Sequence, residues 1–118
     1  MPDTQLSPYQ EAVGWIQRHP GTGSANSLAK LVLSLWNDEC AFSFRECISN
    51  LDEDRTRLAL RLVTHFAARG EDQELVAAGH EVCRAYPRLW DLGQAADTAK
   101  RQLQARWHKE DARHADPA

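Results

Sequence analysis

His80 and Cys83 stand three residues apart, which on a helix puts two zinc ligands on neighbouring positions, and Cys40, Cys47 and His65 are the side chains that could complete such a site. The Cys40-x6-Cys47 spacing is not that of a zinc knuckle, however. Cys47 and Cys83 fall in or beside apolar stripes, where a thiol behaves as a small hydrophobe. A small zinc-binding structural protein is therefore the third-ranked reading, and no cofactor or resident metal is expected. Nucleophilic catalysis needs Cys or Ser with a His partner in a cleft. Neither G-x-S-x-G, a glycine-rich phosphate loop nor H-E-x-x-H is present. Asp52, Glu53 and Asp54 look like paired general acids until their position is considered. They head a helical segment, where carboxylates compensate unpaired N–H groups and the dipole. The residues point to a protein that is not an enzyme.

Two charged surfaces remain. Between Asn37 and Asp54 six acids (Asp38, Glu39, Glu46, Asp52, Glu53, Asp54) stand against Arg45 alone. They bracket the exit of one helix and the entry of the next, so they are expected to cluster in space and attract a basic surface of a protein or ribonucleoprotein. Trp15 leaves the apolar stripe of its own helix and is the expected exposed anchor beside this patch, whereas Trp36 and Trp107 are expected in the core. The opposite charge collects at the other end of the chain. Lys100, Arg101, Arg106 and Lys109 follow one another without an intervening acid, which makes nucleic-acid binding the alternative function. Cations near a helix C-terminus are favoured by the dipole in any case, and the whole chain carries a net charge of -3. Protein binding ranks first.

The elements that must position these residues are helical. In Ser27–Asn37, Leu28, Leu31, Val32, Leu35 and Trp36 share one face at 100° per residue, widened by Ala25, Ala29 and Leu33. Only Asn26, Ser27, Lys30, Ser34 and Asn37 are left for a narrow wet strip. A helix so apolar, over about 25–37, must be central and contacted by several others. Before it, Ser7, Pro8 and Gln10 form a capping box with proline at the first helical position, and Tyr9, Ala12, Val13 and Ile16 give that helix its buried face. Ser24 or Asn26 is the expected cap of the central helix. Ser43 with Glu46 makes a second capping box for a short helix over 44–49, with Phe42, Phe44, Cys47 and Ile48 as its anchors. A longer helix then runs from Asp52 to Gly70 with Leu58, Ala59, Leu62, Val63 and Phe66 inward. The next begins near Glu71 or Asp72, and Gly79 within it permits a close crossing. Pro87 opens the last helix, in which Gly93 is a weak point and Leu92, Ala96, Ala99, Leu103 and Trp107 recur at helical spacing.

The pattern predicts an all-α, compact bundle of five or six helices, with residues 1–109 as one domain and 110–118 as a frayed tail. At 118 residues such a chain needs no disulfide or metal to hold its core. Its three cysteines are expected to be free thiols in a reducing compartment, and with no secretory or membrane-spanning segment legible the expected location is cytoplasmic. Oligomeric state is not legible.

The run LAKLVLSLWNDECAFSFRECISNLD resembles a group of small helical proteins carried on integrative elements and prophages of proteobacteria. The matching features are a leucine-rich helix ending in Trp36 and Asn37, the aromatic pair Phe42 and Phe44 around a short connector, and Leu51-Asp52 opening the next helix, over about Ala29 to Asp52. This resemblance implies an accessory protein of a mobile element. Such proteins often occupy a surface of host machinery, as anti-CRISPR proteins do on a defence complex. No functional residues transfer with it.

Overall fold

Local chemistry sets where the helices begin. Ser7 Oγ accepts the Gln10 N–H at 3.1 Å while Gln10 Oε1 accepts the Ser7 N–H at 3.1 Å, and with Pro8 at the first position this opens α1 (Pro8–Arg18). The same reciprocal box, Ser43 with Glu46, opens α3 (Phe44–Ile48). Asp52 Oδ1 takes the Arg55 N–H at 2.7 Å to start α4 (Glu53–Arg69), and Asp72 Oδ1 takes that of Leu75 at 2.9 Å to start α5 (Gln73–Ala85). With α2 (Gly23–Trp36) and α6 (Pro87–Ala115) these make, among the described residues, an all-helical bundle of six elements. The computed structural model describes residues 6–115. Asp52→Ala is expected to cost about 1 kcal/mol, the usual loss of an N-cap. Urea denaturation measures it, and an unchanged midpoint would deny the cap any role.

α2 is the core, as its apolar circumference predicts. Ala25, Leu28, Ala29, Leu31, Val32 and Leu33 are buried, and α1, α3, α4, α5 and α6 all pack against it. Its cap is neither Ser24 nor Asn26. Thr22 Oγ1 accepts the Ala25 N–H at 3.2 Å and donates to the His19 carbonyl at 2.8 Å, which starts the helix at Gly23 and leaves Ser24 Oγ to accept the Trp15 indole N–H at 3.0 Å.

The polar strip of α2 is not wet. The segment after Trp36 folds back along it: Ser34 Oγ lies 3.9 Å from Cys47 Sγ, Lys30 Nζ 3.8 Å from Glu46, buried Ser27 donates to the Ser49 carbonyl, and Asn50 reaches Gly23. Of the anchors expected here, Cys47 is buried and Phe42 half-buried, but Phe44 and Ile48 are exposed, because a single turn of helix presents only one side to α2.

Close approaches occur at two helical glycines. A Cβ on Gly79 would stand 2.3 Å from the Trp36 indole, so this glycine is where α5 crosses α2. Gly93, read as a weak point, is likewise a contact. A Cβ there would meet Cys40 Sγ at 2.2 Å, and its carbonyl accepts the Ala41 N–H at 2.9 Å.

That contact decides which way α6 faces. It docks through Leu89, Trp90, Gly93 and Asp97, whereas the expected stripe is turned away by roughly 100° on the helical wheel. Leu92 is 59% exposed and Trp107 51%; Ala96 and Ala99 are exposed, and Leu103 is half-exposed. Trp107 is therefore not core. The helix is continuous past Glu110 to Ala115, with no glycine or proline in the sequence from there until Pro117; the remainder of the expected tail, 116–118, lies outside the described residues. The part of α6 after Asp97 spans about 27 Å at the helical rise, in a molecule measuring 72 × 29 × 25 Å.

Candidate protein interface

The six acids do not form one patch. Because the connector returns along α2, Asp38 and Glu39 sit at its C-terminal end and Asp52–Asp54 near its N-terminal end, about 20 Å away by helix length. Most are also matched by cations. Glu39 lies 3.9 Å from Arg101, Glu46 3.8 Å from Lys30, Asp52 3.6 Å from Arg55, Glu53 2.7 Å from Arg57, and Asp54 2.8 Å from Arg57. Asp38 has no such partner among the described residues. Hydrogen bonds from the Ser43 backbone and side chain hold the Glu46 carboxyl below its usual range, so its charge is committed to capping α3.

Trp15 is half-buried rather than a free anchor. The Arg55 guanidinium lies 3.8 Å from its ring centre and the His19 ring centre is also 3.8 Å away, while the indole N–H is taken by Ser24. Arg61 closes the α1–α4 seam with two bonds of 2.9 Å to Glu11. The resulting cleft, about 450 Å³, is lined by Arg18, Arg55, Arg57 and Arg61 with Glu11 and Asp54. Sequence reasoning missed this arginine-rich wall, since Glu11 and Arg61 are 50 residues apart.

The basic residues fare differently. Arg101 is tied to Asp97 at 2.6 Å and faces Glu39, which leaves it little to offer a ligand. Lys100, Arg106, Lys109 and Arg113 are exposed, with no ion-pair partner among the described residues. At 100° per residue Arg106, Lys109 and Arg113 fall within about 60° of one another. They border the exposed stripe of Leu92, Ala96, Ala99 and Leu103, with Lys100 and Trp107 on its other side. As far as Trp107 this projecting helix thus carries an apolar seam between cationic flanks, and exposed Glu110, seven residues after Leu103, ends it. The helical spacing of these residues is visible in the sequence; that the face is exposed and not core follows from the docking of α6 through Gly93.

The zinc candidates do not converge. His65 lies 3.4 Å from Asp72 and stands edge-on to Tyr9, His80 stands edge-on to Trp36, and no group of three potential ligands meets among the described residues. All three cysteines are free thiols. Burial pushes Cys40 from 9.0 up to about 11, and raises Cys47 and Cys83 as well, so these sulfurs are poor nucleophiles at neutral pH. Half-buried Cys83 is expected to be alkylated ahead of buried Cys40 and Cys47; peptide mapping after a short iodoacetamide pulse reads the order, and early labelling of Cys40 would contradict it. Because the folded chain keeps the Cys40 proton that the unfolded chain releases near 9.0, this stabilisation is complete below that pH and is lost as pH rises towards about 11.

No helix among the described residues is long and apolar enough to cross a membrane. In comparisons with known proteins, no family model, curated protein or solved structure matches the chain.

Proposed function

We propose that the protein is a non-enzymatic binding factor that engages a partner protein through α6 and acts by occupying a surface. The observation that carries this reading is the exposed seam of α6, with Leu92 at 59% and Trp107 at 51% exposure beside Arg106, Lys109 and Arg113. Apolar side chains at helical spacing are what a helix lays into a partner's groove, and cationic flanks select a groove with acidic walls. The resemblance over residues 29–52 gives the reading its specific form: an accessory factor of a mobile element that blocks a host defence complex, in the manner of an anti-CRISPR protein.

Affinity capture from a proteobacterial lysate containing a CRISPR effector tests it. The full chain is expected to retain one complex in stoichiometric, nuclease-resistant form. A chain ended after Asp97 is expected to lose that complex while its melting temperature changes by less than about 2 °C, because the removed residues border solvent. Capture that survives the truncation overturns the reading. Reversing Asp52, Glu53 and Asp54 to Lys tests the acidic surface separately; loss of capture there would move the interface to the start of α4. Recovery abolished by nuclease would favour nucleic acid instead, an alternative supported by Lys100, Arg106 and Lys109, which are exposed and have no ion-pair partner among the described residues.

A further inference from the structure

A groove on the body of the protein has the complementary chemistry to α6. It lies between α1 and α5, encloses about 380 Å³, and has Val13, Gly14, Ala77 and Ala78 among its lining. Small side chains at these positions leave room for a leucine- or tryptophan-sized group from outside. Glu74 and Glu81 also line it, and no cation among the described residues does. Glu74 has no ion pair among the described residues, and Glu81 has only a 3.4 Å contact with exposed Arg84, outside the groove.

Spacing adds to the match. Glu74 and Glu81 are seven residues apart on α5, and Arg106 and Arg113 are seven apart on α6. Both pairs therefore repeat at about 10.5 Å along their helices. The helix cannot serve its own groove, because α6 leaves the end of α5 at Pro87, packs its first turns on α2 and α5, and then continues straight beyond them.

We propose that the free half of α6 from one copy docks in the α1–α5 groove of a second copy, placing Leu103 and Trp107 over the small residues and Arg106 and Arg113 against Glu74 and Glu81. This rests on α6 being the docking element, as argued above, and gives that helix a second occupant, a copy of the same chain, that competes with the host partner for the same face. The contact is heterologous, helix of one copy to groove of the next, so it either closes reciprocally or extends into a chain.

Sedimentation equilibrium of the full chain and two charge-reversal variants tests it. Wild type is expected to gain mass with concentration. E74R/E81R lacks a competent groove and R106E/R113E a competent helix, so each alone is expected to associate on the order of 100-fold more weakly. An equimolar mixture is expected to recover association with the two variants in one-to-one proportion, since the intact helix then meets the intact groove and the reversed helix the reversed groove. The four reversals in a single chain should restore self-association, which guards against variants that merely misfold. A wild type that stays monomeric overturns the proposal, as does association unaffected by either variant or a mixture that stays apart. The two readings fail separately: E74R/E81R removes self-association alone, whereas R106E/R113E also removes capture of the host partner. A monomeric wild type with α6-dependent capture would sink the self-docking contact and leave the binding function intact.

Discussion

Leu28→Ala is expected to lower the unfolding free energy by about 2–5 kcal/mol, the range for truncating a leucine in a packed interior. Leu28 is fully buried near the middle of α2, the helix against which the other five pack. Removing its isobutyl group forfeits transfer free energy and leaves a cavity that a helix held on all sides cannot close. A domain of this size has about 5–15 kcal/mol in total, so the loss is a large fraction of its stability. The comparison is Leu60→Ala on α4, where the side chain is 54% exposed and the change is expected to stay within about 0.5 kcal/mol. Urea titrations of both variants give the answer. Equal losses would mean that α2 is not the core.

Gly79→Ala is expected to destabilise by about 1–3 kcal/mol, although alanine is the better helix former by about 1 kcal/mol. The added methyl would stand 2.3 Å from Cγ and Cδ2 of Trp36, and that indole is itself held between His80, edge-on at 5.2 Å, and Trp90 at 5.4 Å. Moving Trp36 therefore disturbs α2, α5 and α6 together. Gly14 supplies the opposite sign. A Cβ there meets only the flexible end of Arg18, at 3.3 Å, so Gly14→Ala is expected to stabilise by up to about 1 kcal/mol. Thermal melts of the two variants should move in opposite directions; movement in the same direction would show that propensity outweighs the Trp36 contact.

Features written within a few consecutive residues are legible in the sequence. Ser7 with Gln10 and Ser43 with Glu46 satisfy backbone donors inside one turn, and the apolar circumference of α2 demands burial whatever its neighbours are. Relations between distant residues were not legible. The helical period of Leu92, Ala96, Ala99, Leu103 and Trp107 defines a face but not what it faces. Gly93 settles that question by admitting Cys40 and the Ala41 N–H on another side. Trp15 lies off its stripe, as its position indicates, yet Arg55 arrives from α4 to cover it. The acidic stretch departs from its expected clustering for a related reason. Proximity in sequence at a helix exit and a helix entry does not imply proximity in space when the connector runs the whole length of the helix between them.

The return of that connector along α2 also bears on the order in which the chain folds. Its fastenings, Ser34 to Cys47 and Ser27 to Ser49, close loops of 13 and 22 residues, whereas Glu11 must find Arg61 across 50 and Gly21 must reach the Tyr86 hydroxyl across 65. Loop-closure entropy rises with separation, and contacts that close short loops favour rapid folding. The leucine-rich α2 and its serine-lined return therefore form a local hairpin of helix and connector that can assemble first. α1, whose Trp15 reaches Ser24 across only 9 residues, belongs to the same local unit, and α4 and α5 then have a preformed apolar surface on which to collapse.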